Sequence, residues 1–434
     1  MDIEENAEVF ECLKNPESHQ FIQYANAMYL PWSEFMYKKM PGRYAPEIMW
    51  AATKFVRSLN LQTVSFSDPP ILEFSFNQNE EILRQLHEFD MNIGGNMSGE
   101  SIIPTDDKDR YLVSSIMEEA IASSQLEGAV TTREVAKEML RQQRRPKDKS
   151  EQMIVNNYLT IQKILEWKGR KITQDALLEL HGIVTNGTLE DSSFAGKFRD
   201  NDKIKVFDGQ SGEVLHVPPS HKNLPELMDS FFQFANEKHP HRFIHPIIKA
   251  SLLHFLIGYI HPFVDGNGRT ARALFYWYLI KHGYWLLEYM SISRMIKRAP
   301  IQYAKAYLYT EHDDNDTTYF IKYTLRTMGL AFDSLKSYIN RKIQEKQQLF
   351  DFDTIDGINS RQVQILKLLS DKPRKRLTIK EIETTFAVVY QTARTDLLGL
   401  HEMGLLSKKT EGKKKMIFFR HKDFRKRLSK IREN

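Results

Sequence analysis

Cysteine is all but missing from this chain. Cys12 stands alone among 434 residues, which excludes an internal disulfide and any zinc site built from several thiolates. A reducing, cytoplasmic setting is the resulting expectation. No apolar run reaches the roughly 18–20 residues that a membrane-spanning helix needs. The opening Met1-Asp2-Ile3-Glu4-Glu5 is acidic and has no apolar stretch behind it, so no signal peptide and no membrane partner are expected. Internal repeats and low-complexity tracts are missing too, and so is the GxxxxGK[ST] pattern of a Walker A loop.

What remains is an ordinary globular balance, 41% hydrophobic and 27% charged, in a chain long enough for several domains. The net charge of +5 conceals an asymmetry. From Asn359 to Asn434 there are 20 Lys and Arg against 8 Asp and Glu, a net of +12, so the rest of the chain carries −7. A basic C-terminal unit follows a mildly acidic body.

In chain order, residues 1–78 carry short amphipathic pieces around Pro31-Trp32-Ser33-Glu34-Phe35 and Met49-Trp50. Asp68-Pro69-Pro70 breaks the chain, and Ile71 to Phe76 alternates like a strand. A helix is expected from Lys108 to Leu126, because Val113, Ile116, Met117, Ala120 and Ile121 recur on one face. It stops at Glu127-Gly128, and Thr131-Thr132-Arg133-Glu134 has the form of a capping box for the next helix. A basic, proline-broken turn, Arg141 to Lys149, leads to further amphipathic helices at Asn156–Trp167 and Thr173–Val184. Two alternating runs, Ile204-Lys205-Val206 and Val214 to Val217, flank Asp208-Gly209 and Ser211-Gly212 and read as a β-hairpin. A lone hairpin among helices is marginal by itself, so it is a candidate flap over a site.

Pro246 opens a helix that is apolar nearly all round to Ile260, hence buried. It delivers the chain to His261-Pro262-Phe263-Val264-Asp265-Gly266-Asn267-Gly268-Arg269-Thr270-Ala271-Arg272, after which an apolar helix resumes at Gly268. Glycines at 266 and 268 let the backbone approach a ligand. The N–H groups and dipole of the new helix favour an anion. Arg269 and Arg272, three apart, lie on one face of its first turn and suit a di- or triphosphate. Asp265 can hold Mg²⁺ together with phosphate oxygens. His261 can take a proton from an incoming hydroxyl. These are the parts of nucleotidyl or phosphoryl transfer.

The same twelve residues match the signature of Fic-domain proteins, HxFx(D/E)GNGRxxR, at every specified position. The resemblance covers about residues 79–345 and implies a mainly α fold: a Fic-type helical bundle with a β-hairpin flap. It implies transfer of AMP from ATP to a Ser, Thr or Tyr hydroxyl of a target protein. It further implies His261 as base, Phe263 as loop anchor, Asp265 as the Mg²⁺ ligand, and Gly266, Asn267 and Gly268 as the anion hole. Arg269 and Arg272 would grip the phosphates, Arg272 the γ-phosphate, and Ile204, Lys205 and Val206 would dock the target on the flap. Ser123-Ser124-Gln125-Leu126-Glu127-Gly128 resembles the family's inhibitory pattern, (S/T)xxxE(G/N), with Ser123 and Glu127 in the defining places. In the family that glutamate pairs with the second arginine, here Arg272, and takes the place of the γ-phosphate. The resemblance leaves open removal of AMP, another transferred group such as UMP, phosphate or phosphocholine, self-modification, and a homodimer.

From Asn359 the pattern changes. Helices are expected at Ser360–Leu369, Thr378–Phe386 and Tyr390–Met403. Strands at Leu405–Lys409 and Met416–Arg420 follow, around a basic turn from Thr410 to Lys415. This resembles a small winged helix-turn-helix domain, whose partner is DNA or another protein. Lys408, Lys409, Lys413, Lys414, Lys415, Arg425, Lys426 and Arg427 can neutralise phosphates, and Gln391, Thr392 and Arg394 can reach bases. The expected organisation is 1–78 of undefined role, 79–145 with the inhibitory segment, 146–345 as the Fic core, a linker at 346–358, and the C-terminal domain at 359–434. His245 and His254 are expected to be structural. Tyr303 and Tyr307 are candidates for the core or for a nucleobase pocket. Asp313 to Asp316 are expected to form a turn and helix cap rather than a metal site.

Overall fold

A computed structural model describes residues 3–67, 69–94, 108–207, 209, 211–236, 243–347, 357–411, 415–424 and 426–427. Asp208, Lys413, Lys414 and Arg425, named above, lie outside the described residues, as does most of the expected linker. In chain order the helices are α1 (Ile3–Lys14), α2 (Pro16–Met28), α3 (Trp32–Phe35), α4 (Pro46–Ser58), α5 (Glu80–Asn92), α6 (Lys108–Leu126), α7 (Arg133–Gln142), α8 (Lys149–Glu166) and α9 (Gln174–Thr185). They continue as α10 (Leu224–Asn236), α11 (Pro246–Ile260), α12 (Asn267–Lys281), α13 (Ile292–Arg298), α14 (Pro300–Glu311) and α15 (Thr318–Gln347). The last are α16 (Ser360–Asp371), α17 (Ile379–Phe386) and α18 (Tyr390–Glu402). Short antiparallel pairs are β1 (Gln62–Phe66) with β2 (Leu72–Phe76) and β3 (Val206–Phe207) with β4 (Val214–His216). A three-stranded sheet of β5 (Arg376–Thr378), β6 (Leu406–Glu411) and β7 (Lys415–Arg420) has the order β5-β7-β6. Among the described residues no helix is long and apolar enough to cross a membrane.

The chain forms two compact units, each assembled from separated stretches. The first comprises Met1–Asn96, Leu159–Leu287 and Met295–Gly329; the second comprises Met97–Tyr158, Glu288–Arg294 and Leu330–Asn434.

The centre of the first unit is α11. Its apolar residues leave no wet face, and Ile247, Leu252, Phe255, Leu256 and Ile260 are all fully buried. His245 caps it, accepting from the Ile247 N–H at 3.3 Å while its Nε2 faces Asp90 at 3.0 Å. Antiparallel α12 packs along α11, with Trp277 reaching the Trp167 ring at 5.1 Å. The N-terminal helices have their own small core of Cys12, Ile22, Phe35, Met49 and Ala52. Buried Arg57 ties them to the start of α15: it donates to Asn26 Oδ1 at 2.8 Å, to the Leu30 carbonyl at 2.9 Å and to the Tyr319 hydroxyl at 2.7 Å. Asp316 accepts from Thr318 N and Oγ1, and so acts as the turn-and-cap residue at the head of α15. β1 was not expected: with Gln62, Thr63 and Ser65 in five residues it offers little apolar signal, and pairing with β2 defines it.

In the second unit α6, α7 and the start of α8 share a core of Met117, Ile121, Ala136, Met139, Leu140 and Ile154. The cap of α7 is Thr132, one residue beyond the expected Thr131, and it accepts from Val135 N at 3.4 Å. The carbonyl of Thr131 is instead engaged by Gln125 Nε2 at 2.7 Å, which holds that residue in the turn. The C-terminal helices and sheet bury Ile365, Leu366, Leu377, Leu397, Leu400 and Phe418. Asp396, itself buried, gathers Asn359 and Arg361 at 2.7 Å each. The opposite side of α17 packs on α6 and α7.

Candidate active site

The motif loop is short because both of its ends are buried helices. His261 is the C-cap of α11 and takes a left-handed conformation, φ 48° and ψ 58°. Its backbone N–H still donates to Ile257 at 3.1 Å. Its Nδ1 lies 3.1 Å from the Gly258 carbonyl. A carbonyl only accepts, so Nδ1 carries the proton, and the lone pair of the neutral ring is on Nε2. A base with its tautomer fixed in this way needs no rearrangement before taking a proton.

Four residues on, the loop closes on itself. Asn267 Oδ1 accepts from Phe263 N at 3.0 Å, and Asn267 Nδ2 donates to the Phe263 carbonyl at 2.8 Å. The Asn267 side chain therefore braces the loop through both its oxygen and its nitrogen. The helix begins at Asn267, one residue before the expected Gly268, because Gly266 is the N-cap with φ 85°. A side chain at Gly266 would also collide: an added Cβ would stand 2.8 Å from Thr185 Cγ2. The α12 N-terminus, with backbone N–H groups of its first turn and a dipole behind them, is a ready anion seat.

Both motif arginines are buried. Arg269 donates to the Val184 carbonyl at 3.1 Å and pairs with Asp265 at 3.4 Å along one helix turn. The Asp265 carboxylate also accepts from Gly266 N at 2.5 Å and is about half exposed. Asp265 is thus held by Gly266 and Arg269 while its carboxylate stays half exposed. Arg272 is flanked electrostatically by His254, whose imidazole is driven down to about 3, first by burial and then by the Arg272 charge. His254 Nε2 lies 2.8 Å from the Tyr303 hydroxyl, and the Tyr307 hydroxyl donates to the His254 carbonyl at 3.4 Å.

Four supports gave no usable sequence signal. His181, on the apolar face of α9, accepts from Gly196 N through Nδ1 at 3.0 Å and therefore donates through Nε2 to the Asp265 carbonyl at 2.9 Å. Burial drives its imidazole down to about 4. Arg199, also buried, donates to the His261 carbonyl at 2.9 Å, to the Asn201 carbonyl at 3.0 Å and to the Pro219 carbonyl. It joins the motif loop to both feet of the hairpin. Asp202 completes the joint, accepting from His221 N at 2.6 Å and Ser220 Oγ at 2.8 Å, and those bonds hold its carboxyl well below the usual range. His216 tethers the hairpin itself, with Nδ1 2.7 Å from Glu311 and Nε2 2.7 Å from the Tyr259 carbonyl.

The hairpin is shorter than expected. Pairing begins at Val206, opposite His216, with a bulge before Phe207, so Ile204 and Lys205 precede the strand rather than forming it. In the second unit Ser123 is buried on α6, and Glu127 follows its last residue, Leu126. The Glu127 N–H donates to Ser124 at 3.1 Å, and Gly128 turns the chain with φ 92°.

This arrangement, a histidine at the end of one buried helix and two buried arginines at the start of the next, has relatives. Residues 171–279 match the model of the Fic/DOC family, so a Fic domain occupies the centre of the chain. The chain is 40% identical over 114 residues to a protein adenylyltransferase Fic of Drosophila virilis, covering 26% of this chain and 21% of that one. It is 38% identical over 119 residues to the Nematostella vectensis protein of the same name, covering 27% and 25%. The alignments thus span about a fifth to a quarter of the length of these curated relatives. Among solved structures, a Fic family protein from Desulfovibrio desulfuricans is similar at 16% identity and a TM-score of 0.48, over 79% of this chain and 95% of that one. Fic-1 (residues 134–508) from C. elegans is similar at 16% and 0.47, over 76% and 84%.

Proposed function

We propose that the chain transfers AMP from ATP to a Ser, Thr or Tyr hydroxyl of a protein, itself included. The observation that carries this reading is the fixed tautomer of His261, placed one short loop from the α12 N-terminus. The hydroxyl oxygen attacks the α-phosphorus as its proton passes to His261 Nε2. The bond from the α-phosphorus to the bridging oxygen breaks, and pyrophosphate leaves. Backbone N–H groups at Asn267 and Gly268, with Arg269 and Arg272, receive the phosphates. Catalysis of this kind is mostly positioning and charge neutralisation.

Asp265 fits Mg²⁺ in one respect: it is a single, half-exposed carboxylate, and among the described residues no cluster of three or more His, Cys, Asp or Glu forms a protein cage. Mg²⁺ is commonly bound through one or two carboxylates plus substrate phosphates. When bound, the ion would neutralise charge on those phosphates.

Glu127 is the proposed brake. Its carboxylate would pair with Arg272 and repel a γ-phosphate from that position, so ATP would bind without its α-phosphate in line. The motif and the helix-end setting of Glu127 support this. The test is incubation with labelled ATP and Mg²⁺, followed by mass spectrometry. Glu127→Gly should label itself or a lysate protein with AMP far above wild type, and adding His261→Ala should abolish it. No labelling by Glu127→Gly sinks the enzyme reading, and a different mass increment identifies another donor group.

A second role is proposed for the C-terminal domain. Its α18 begins with exposed Tyr390 and Gln391 behind the exposed cap residue Val389, and exposed Lys408 and Lys409 lie on β6. Order β5-β7-β6 beside three helices supports a winged-helix reading, and such a basic surface suits DNA. A gel shift of the full chain that weakens steeply with salt would support it. No shift at low salt overturns it.

A further inference from the structure

The catalytic reading assigns His261 its role but not what keeps it in place. The last turn of α11 does two things at once: Ile257 holds the His261 N–H, and the Gly258 carbonyl holds its ring. Gly258 is helical, so backbone freedom does not explain the glycine. Space does. The ring of Tyr307, on α14, fills the position where a side chain at 258 would go, so that Cε1 and Cζ would stand 2.7 Å from an added Cβ. Real carbon contacts are near 3.5–4.0 Å. Tyr307 has little room to retreat. It stacks on Phe255 at 5.4 Å and meets Phe320 edge-on at 4.7 Å.

We propose that Gly258 and Tyr307 form a positioning pair for His261: α14 seats a ring in the glycine notch and thereby fixes the carbonyl that orients the base. This rests on His261 being that base. Neither residue is a catalytic residue. The experiment uses the full chain in the Glu127→Gly background, with nitrogen NMR of labelled histidine as a second readout. Gly258→Ala should lower kcat on the order of 10²-fold, the scale of a misplaced reacting group, while KM for ATP changes little. The Nδ1–H signal of His261 should weaken. Adding Tyr307→Leu removes the colliding atoms and should restore most of kcat and the Nδ1–H signal. Unchanged kcat in Gly258→Ala, or a double variant no better than the single one, overturns the proposal. Failure of the underlying reading shows separately, as an inactive Glu127→Gly parent.

A different observation carries a second inference. Helix α7 is only ten residues long, too short to hold itself. It packs on α6, and both helices meet α17 of the C-terminal domain. Gln143 Nε2 reaches Thr384 Oγ1 at 3.5 Å. Buried Glu381, paired with Lys375 at 2.8 Å, feels Glu138 and Arg141 of α7. The turn that carries Glu127 runs directly into α7, through Gln125 Nε2 to Thr131.

We infer that docking of α17 steadies α7 and with it Glu127, so that the C-terminal domain sets the strength of the brake. This rests on Glu127 being inhibitory. Thr384→Glu puts a carboxylate where the hydroxyl meets Gln143, one helix turn from buried Glu381, and should raise AMP labelling severalfold in the protein that keeps Glu127. It should add nothing to Glu127→Gly. Pairing it with Gln143→Lys, which faces position 384, should return labelling toward wild type. Wild-type labelling by Thr384→Glu beside an active Glu127→Gly overturns the inference, and so does an equal rise in both backgrounds.

Discussion

The imidazole of His181 lies face to face with the ring of Phe263, centroids 3.8 Å apart and planes 5° from parallel. The same imidazole holds the Asp265 carbonyl. One side chain of α9 therefore supports both the anchor and the acidic residue of the motif loop. Phe263→Ala removes a fully buried ring and should cost about 3–5 kcal/mol of stability, measured by urea unfolding, with AMP transfer lost even where the protein stays folded.

Acid should find this support first. The native imidazoles of His181 and His254 are lowered to about 4 and about 3, each chiefly by burial. In the unfolded chain a histidine titrates near 6.5. Between about pH 6.5 and 4 the unfolded state binds protons that the native state does not, so stability rises with pH across that window. Lowering the pH from 6.5 to 4 should therefore remove on the order of 3 kcal/mol through His181 alone. His181→Gln should be less stable than wild type at pH 7, and the gap should narrow as pH falls. A gap that stays constant to pH 4 contradicts the buried neutral state.

The parts of the site differed in how far they could be read in advance. The twelve-residue loop and its two flanking helices were legible because apolar residues on every face of α11 and α12 bracket a polar stretch. The supports were not. His181 reads as one more residue on an amphipathic face, and Arg199 as a surface charge, because the motif-loop groups they hold are backbone carbonyls 84 and 62 positions away. Backbone acceptors leave no trace in residue type. β5, three residues with one buried leucine, was missed for a related reason: pairing with β7 makes it a strand.

Arg199 is the next place to press. Arg199→Lys keeps the charge but not the fork, so it cannot hold the carbonyls of His261, Asn201 and Pro219 together. Each buried carbonyl left without its donor costs about 1–3 kcal/mol. Because these bonds join the loop to the feet of the hairpin, the variant should raise KM for the protein target more than KM for ATP. Equal effects on the two would place Arg199 in general packing instead.

Asn267 tests the loop from inside. Asn267→Ala strips two bonds from the Phe263 backbone, and Asn267→Asp keeps the acceptor while losing the donor to the Phe263 carbonyl. Alanine should be the less stable, by roughly 1–3 kcal/mol below wild type. The aspartate has a further fault that alanine lacks. Its fixed negative charge stands at the α12 N-terminus, the seat proposed for the phosphates, whereas a negative charge at a helix N-terminus otherwise stabilises the helix. Asn267→Asp should therefore be nearer wild type in thermal melting yet weaker in ATP binding than Asn267→Ala. Calorimetric ATP titration of both in the Glu127→Gly background decides it: tighter binding by the aspartate would mean that the α12 N-terminus is not where the phosphates go.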